Sequence, residues 1–270
     1  MDHETSKKSL LTVSFGTSYP ETRRATLEAI EGDLARAFPD RRPVRAWTSG
    51  MLRRKVERTE GLRVPSVPEA LESLAEEGMT DVLVQPTHLL NGEELERTRE
   101  TVRCFAGRFE RLTMGEPLLS GPDDIADLAR ALEEIWGGLP RDELLALMGH
   151  GSAALTLPVY ALLEERLWQD GYPNVCIGTV EFTPGIAPVL DRVRRDKPPR
   201  VHLAPLLVVA GDHAVGDMAG DEPGSWKNQI AREGAEVVCH VNGLGEYEAV
   251  RALYVAHARG ARPVTEGAAV

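Results

Sequence analysis

Three strand-like runs in this chain each end at a side chain able to hold a metal ion or move a proton. Leu144-Leu-Ala-Leu-Met-Gly149 runs into His150 and Gly151, and Val175-Cys-Ile-Gly-Thr-Val180 runs into Glu181. Val201-His-Leu-Ala-Pro-Leu-Leu-Val-Val-Ala-Gly-Asp212 runs into His213. In an open α/β sheet, ligands bind outside the carboxyl ends of the strands. Two imidazoles and one carboxylate, each at its own strand end, are therefore placed to converge on one divalent ion. A nitrogen–nitrogen–oxygen set suits Zn2+, Co2+, Fe2+ or Ni2+, and three protein ligands leave positions open for a substrate. The glycines on both sides of His150 put no side-chain bulk beside its ring. Asp212 and Asp217 are close enough in sequence to His213 to orient it from behind. Taken singly, each residue has a plainer reading as a turn histidine or a strand-end glutamate.

Other candidates are weaker. His88 follows the run Asp81–Pro86 and reads equally as a residue lining a cleft or as a satisfied core histidine. Glu93 and Glu94 open a helix, where carboxylates meet the helix dipole favourably. Arg53, Arg54 and Lys55 are either a solvated helix face or the local anion site of an otherwise acidic chain. His202, His240 and His257 fall inside regular elements and read as structural. There is no HExxH, no P-loop and no GxGxxG, so protease, NTPase and dinucleotide readings find no support, and no organic cofactor is expected. Gly16-Thr-Ser18 is not a GxSxG elbow, which argues against a serine hydrolase.

The elements that must position these residues alternate between strand and helix. Strands are expected near 9–15, 44–47, 81–86, 112–114, 144–148, 175–180, 201–209 and 236–241. Helices are expected over 21–38, 51–58, 67–77, 93–109, 121–136, 155–169, 184–195, 226–232 and 246–258. Such alternation means parallel sheets with helices on both faces. Gly137-Gly138-Leu-Pro140 is the best linker, which divides the chain into an N-terminal α/β lobe, 1–138, and a C-terminal α/β lobe, 139–270, carrying the metal site. The halves match in places: Asp81–Pro86 with Gly92 lines up with Arg200–Pro205 and Gly211, the glycine falling six residues after the proline in both. Two similar lobes with a cleft between them follow, and on this alignment Glu94 lies opposite His213.

With 270 residues, 42% hydrophobic and 27% charged, the composition is that of a globular protein. A net charge of −11 argues against nucleic acid and suits a divalent cation. No apolar run approaches a membrane span, and the polar start lacks the apolar region of a signal peptide, so a cytoplasmic protein without membrane contact is expected. Cys104, Cys176 and Cys239 are far apart and read as buried reduced thiols. A homo-oligomer is left open.

Taken together, several segments resemble the anaerobic single-subunit cobalt chelatases, class II enzymes related to ferrochelatase. They are Val13-Ser-Phe-Gly-Thr-Ser-Tyr19, Thr48-Ser-Gly-Met51 with Arg54-Lys55, His88-Leu-Leu-Asn-Gly-Glu-Glu94 and Met148-Gly-His-Gly151. Val180-Glu181, Leu207-Val-Val-Ala-Gly-Asp-His213, Asp217-Met218, Gly224-Ser-Trp-Lys227 and Gly243-Leu-Gly-Glu246 continue the series in order, up to about Arg259. The resemblance implies a chelatase-like fold and ATP-independent insertion of Co2+ into a tetrapyrrole, sirohydrochlorin or factor II. It places the metal-binding histidines on His150 and His213, the metal carboxylate on Glu181 and a further catalytic glutamate on Glu94. Phe15, Trp47, His88, Leu89 and Leu90 are expected against the macrocycle, and Arg53 and Arg54 at its carboxylates. Co2+ is then a substrate, and Ni2+, Fe2+ or Zn2+ fit the same donors. Iron insertion for sirohaem, a non-catalytic metal or tetrapyrrole carrier, and a metal-dependent lyase or hydrolase are the alternatives.

Overall fold

A computed structural model describes residues 7–151 and 156–265. Its strands are β1 (Lys8–Ser14), β2 (Arg42–Trp47), β3 (Asp81–Pro86), β4 (Arg111–Met114), β5 (Leu144–Gly149), β6 (Val175–Thr179), β7 (Arg200–Leu206), β8 (Glu236–Cys239) and β9 (Arg262–Pro263). The helices are α1 (Pro20–Ala25), α2 (Leu27–Ala37), α3 (Gly50–Glu60), α4 (Val67–Glu76), α5 (Glu93–Cys104), α6 (Pro122–Trp136), α7 (Thr156–Gln169), α8 (Ala187–Asp196), α9 (Trp226–Arg232) and α10 (Glu248–Arg259). The fold class is the α/β arrangement expected from the alternation.

The chain forms two compact units, one of residues 1–120 with 251–270 and one of residues 121–250. In the first, the sheet order is β2-β1-β3-β4-β9, parallel except for β9 against β4. In the second it is β6-β5-β7-β8, all parallel. The first four strands of each unit thus repeat one topology, with β5 in the place of β1 and β7 in the place of β3. Central strands covered on both faces read as unbroken apolar runs. All six residues of β5 are buried. Leu144, Ala146 and Met148 point to Val189 and Val193 of α8 and to Trp226 and Ile230 of α9. In the first unit, Leu11 and Val13 of β1 pack on Val67, Ala70, Leu71 and Leu74 of α4.

This strand order fixes where a ligand site belongs. From β5 the chain steps to one side, to β6, and then to the other side, to β7, so the order reverses between β5 and β7. Ligands bind at the carboxyl ends of the two strands flanking such a reversal. His150 follows β5 and His213 lies beyond β7.

Several expected features take another form. The unit boundaries do not fall at Gly137–Pro140. Helix α6 packs on α7 and belongs with the second unit. The C-terminal segment returns to the first, where the Tyr254 hydroxyl donates to the Thr87 carbonyl at 2.9 Å and Arg251 pairs with Asp33 at 2.6 Å. The helix expected over 21–38 breaks at Thr26, whose hydroxyl donates back to the Thr22 carbonyl at 2.6 Å. Strand β7 stops at Leu206 because the Leu207 and Val208 carbonyls accept from Leu244 and Gly245 instead of extending the ladder. Cys176 is buried, but Cys104 is exposed and Cys239 is half-buried. Among the described residues, no helix is long and apolar enough to cross a membrane.

Candidate functional site

In the second unit the loop after β5 presents His150 at the surface. Its Nδ1 lies 3.0 Å from the Gly151 carbonyl oxygen. A carbonyl only accepts, so Nδ1 carries the proton and Nε2 keeps a lone pair. His213 opens a π-helical turn, His213–Met218. That turn sets Asp217 behind it, with Nδ1 to Oδ2 at 2.7 Å. The carboxylate likewise fixes a proton on Nδ1, so that in the neutral ring Nε2 is the nitrogen with the lone pair. The two rings stand edge to face, 5.1 Å between centroids and 82° between planes. Single π turns of this kind recur at functional sites. Of the two aspartates considered, Asp217 is the one that bonds His213.

The glycines beside His150 are required by close approaches. A Cβ on Gly149 would lie 2.6 Å from Cζ of the buried Tyr160. A Cβ on Gly151, whose φ is +88°, would lie 2.1 Å from the Glu181 carbonyl oxygen. Burial pushes the Tyr160 phenol up to about 12, and the His150 and Gly151 amides near its oxygen partly oppose that rise. The hydroxyl has no hydrogen bond of full geometry. Tyr160 therefore wedges the His150 loop from beneath.

Glu181 is tied to the same loop through its backbone. Its N–H donates to the His150 carbonyl at 2.9 Å, and Val180 N–H donates to Gly149 at 2.9 Å. Its side chain is exposed. Among the described residues, no three His, Cys, Asp or Glu side chains are grouped as a metal-binding set. The expected trio is thus represented by a histidine pair, with the Glu181 carboxylate not brought into a three-donor group in this conformation.

The remaining candidates lie in the first unit. Glu94, in the first turn of α5, accepts a hydrogen bond from the Thr48 hydroxyl. Phe15 is 51% exposed just past β1. Trp47, expected against the macrocycle, is instead 1% exposed, its indole packed on Gly16. Leu89 and Leu90 are half-buried, and the Leu89 carbonyl accepts from Leu119. Both ring nitrogens of His88 are shut off from solvent and without a partner. Burial, with Arg99 nearby, lowers its pKa from 6.5 to about 4. Arg53 pairs with Glu69 at 2.9 Å, while Arg54 and Lys55 are exposed. Two other histidines belong to a connected hydrogen-bond network. His202 bonds Glu143 at 2.6 Å and His240 at 2.9 Å.

Sequence reasoning missed Tyr160, Phe182 and Val215. Apolar spacing in α7 signals that Tyr160 is buried but not that it meets Gly149. Phe182 and Val215 are exposed apolar side chains beside the histidine loops, 55% and 46% exposed, and no pattern in the sequence marks them out.

The chain is similar to several known proteins. The family model "Cobalt chelatase (CbiK)" matches residues 8–262. The sirohydrochlorin cobaltochelatase of Salmonella typhimurium is 40% identical over 251 residues, covering 93% of this chain and 95% of that protein. The sirohydrochlorin cobaltochelatase CbiKC of Nitratidesulfovibrio vulgaris is 32% identical over 259 residues, covering 93% and 89%. Among solved structures, SirB from Bacillus subtilis with Fe3+ shares the fold, with a TM-score of 0.65 at 15% identity over 93% of this chain and 94% of that one.

Proposed function

The chain belongs to the cobalt chelatase (CbiK) family, and from that premise we propose that it is a sirohydrochlorin cobaltochelatase. It inserts Co2+ into sirohydrochlorin or factor II, without ATP, in anaerobic cobalamin biosynthesis. The observation that carries the proposal is the pairing of His150 and His213 at the strand-order reversal, each with its Nδ1 proton engaged.

The ion arrives as substrate and is held by the two Nε2 lone pairs, with the exposed Glu181 carboxylate as a further oxygen donor through a change of its side-chain rotamer. Neutral imidazoles bind Co2+ without neutralising its charge, so the ion stays attractive to an anionic macrocycle. Metallation replaces two pyrrole N–H protons by one divalent ion. As the ion passes to the pyrrole nitrogens, each imidazole regains its lone pair and accepts one such proton. Asp217 stabilises the imidazolium that forms on His213. Glu94 is the additional carboxylate assigned to proton removal. Arg54 and Lys55, with Arg53, are the cations for the carboxylates of the macrocycle, and Phe15 and Leu89 its further contacts, while the buried ring nitrogens of His88 set it behind that surface. Two imidazoles and one exposed carboxylate, in place of a closed four-ligand cage, suit an ion that must leave.

The test is an anaerobic absorbance assay with purified protein, sirohydrochlorin and Co2+, run beside Fe2+ and Ni2+. Conversion to many equivalents per protein, fastest with Co2+, supports the proposal. Faster turnover with Fe2+ moves the pathway to sirohaem, and a change that stops at one equivalent makes the protein a carrier.

A further inference from the structure

Phe182 is held in a backbone conformation that phenylalanine disfavours, and yet its ring is not used in any core. Its φ is +63°, in the left-handed region where a Cβ crowds the backbone. Its side chain is 55% exposed. A strained residue persists only where its surroundings over-determine it, and such residues cluster at ligand sites. The surroundings here are specific. Thr179, 2% exposed, accepts from Gly185 N–H at 3.0 Å and donates to the Phe182 carbonyl at 3.3 Å, while Thr179 N–H donates to the Gly185 carbonyl at 3.0 Å. On the other side Glu181 N–H donates to the His150 carbonyl at 2.9 Å. The loop thus grips the residue from both ends and turns its ring outward next to the His150 loop. Val215 is a second exposed apolar side chain, beside the other imidazole: it sits two residues past His213 in the π turn and is 46% exposed.

We propose that Phe182, with Val215, forms an apolar platform on which the planar macrocycle stacks while its pyrrole nitrogens meet the ion held by the histidine pair. This rests on the chelatase function proposed above and adds to it residues that set macrocycle affinity. An aromatic ring offers a π face to any flat conjugated ligand without a hydrogen-bonding requirement, and the valine extends the apolar surface. Neither residue takes part in proton transfer or holds the metal.

Phe182→Gly separates this role from a structural one, because glycine adopts the same backbone conformation without the Cβ clash. Binding is read by absorbance titration of the metal-free protein with sirohydrochlorin, and stability by the thermal midpoint. The variant is expected to keep or raise the wild-type Tm while binding sirohydrochlorin about tenfold more weakly, the scale of one lost stacking contact. KM for sirohydrochlorin rises with kcat little changed, and Phe182→Trp restores affinity. Wild-type affinity in Phe182→Gly, or a fall in Tm that accounts for its weaker binding, overturns the platform while leaving the chelatase assignment standing, provided the wild type turns over. A wild type that neither binds nor metallates sirohydrochlorin overturns both.

Discussion

Burying a histidine with neither nitrogen partnered carries a stability consequence that can be worked out for His88. Unfolded, its imidazole takes up a proton near pH 6.5; folded, it resists protonation until about pH 4, chiefly because burial disfavours the cation. Below pH 6.5 the unfolded chain therefore binds the extra proton, and stability falls as pH falls. The contribution is complete above about pH 7, and the linkage relation gives a loss of about 2 kcal/mol by pH 5 and about 3 kcal/mol by pH 4. Carboxylates elsewhere titrate over part of this range, so the comparison must be between two chains. His88→Leu removes the titrating group and both unpartnered nitrogens while keeping an apolar side chain of similar reach. Urea unfolding of both proteins at pH 7 and pH 5 measures the difference. At pH 7 the variant should be as stable as the wild type or more so by about 1–3 kcal/mol, the usual cost of an unsatisfied buried polar group. Its advantage should then widen by about 2 kcal/mol at pH 5. Parallel pH dependences in the two proteins would refute the burial of a neutral imidazole.

Two other predictions concern the site itself. Asp217→Asn keeps the shape of the side chain but lets an amide N–H face His213, which frees the tautomer. Metal affinity or insertion rate, measured at saturating sirohydrochlorin, should fall about 10- to 100-fold, the usual loss for a partner that orients a metal-binding histidine, with Tm unchanged. Gly151→Ala puts a methyl group 2.1 Å from the Glu181 carbonyl at a φ of +88°. Chemical denaturation should show a loss of about 2 kcal/mol or more, and insertion should fall with it because the His150 loop must shift.

Much of this architecture was legible because both sheets are covered on two faces. That burial turns β5 and β7 into long apolar runs, and their ends into obvious places for His150 and His213. The repeat of Asp81–Pro86 in Arg200–Pro205 was legible for the same reason and corresponds to β3 and β7 in sheets of one topology. What escaped was decided by contacts distant in sequence. The return of α10 to the first unit depends on Tyr254 meeting the Thr87 carbonyl, 167 positions away. The burial of Trp47 depends on its indole covering Gly16. The choice of Asp217 over Asp212 depends on a π turn, which no propensity scale anticipates. The left-handed Phe182 is a residue set against its own backbone preference by the Thr179 hydrogen bonds, and a local rule points away from it.

The most direct test of the histidine pair is anaerobic insertion of Co2+ into sirohydrochlorin by the wild type, His150→Ala and His213→Ala at matched folded concentrations. Multiple turnovers by the wild type, with each variant reduced to the uncatalysed rate and its Tm preserved, are the predicted result. Near-normal turnover in His213→Ala would contradict the assignment of the reaction to this pair.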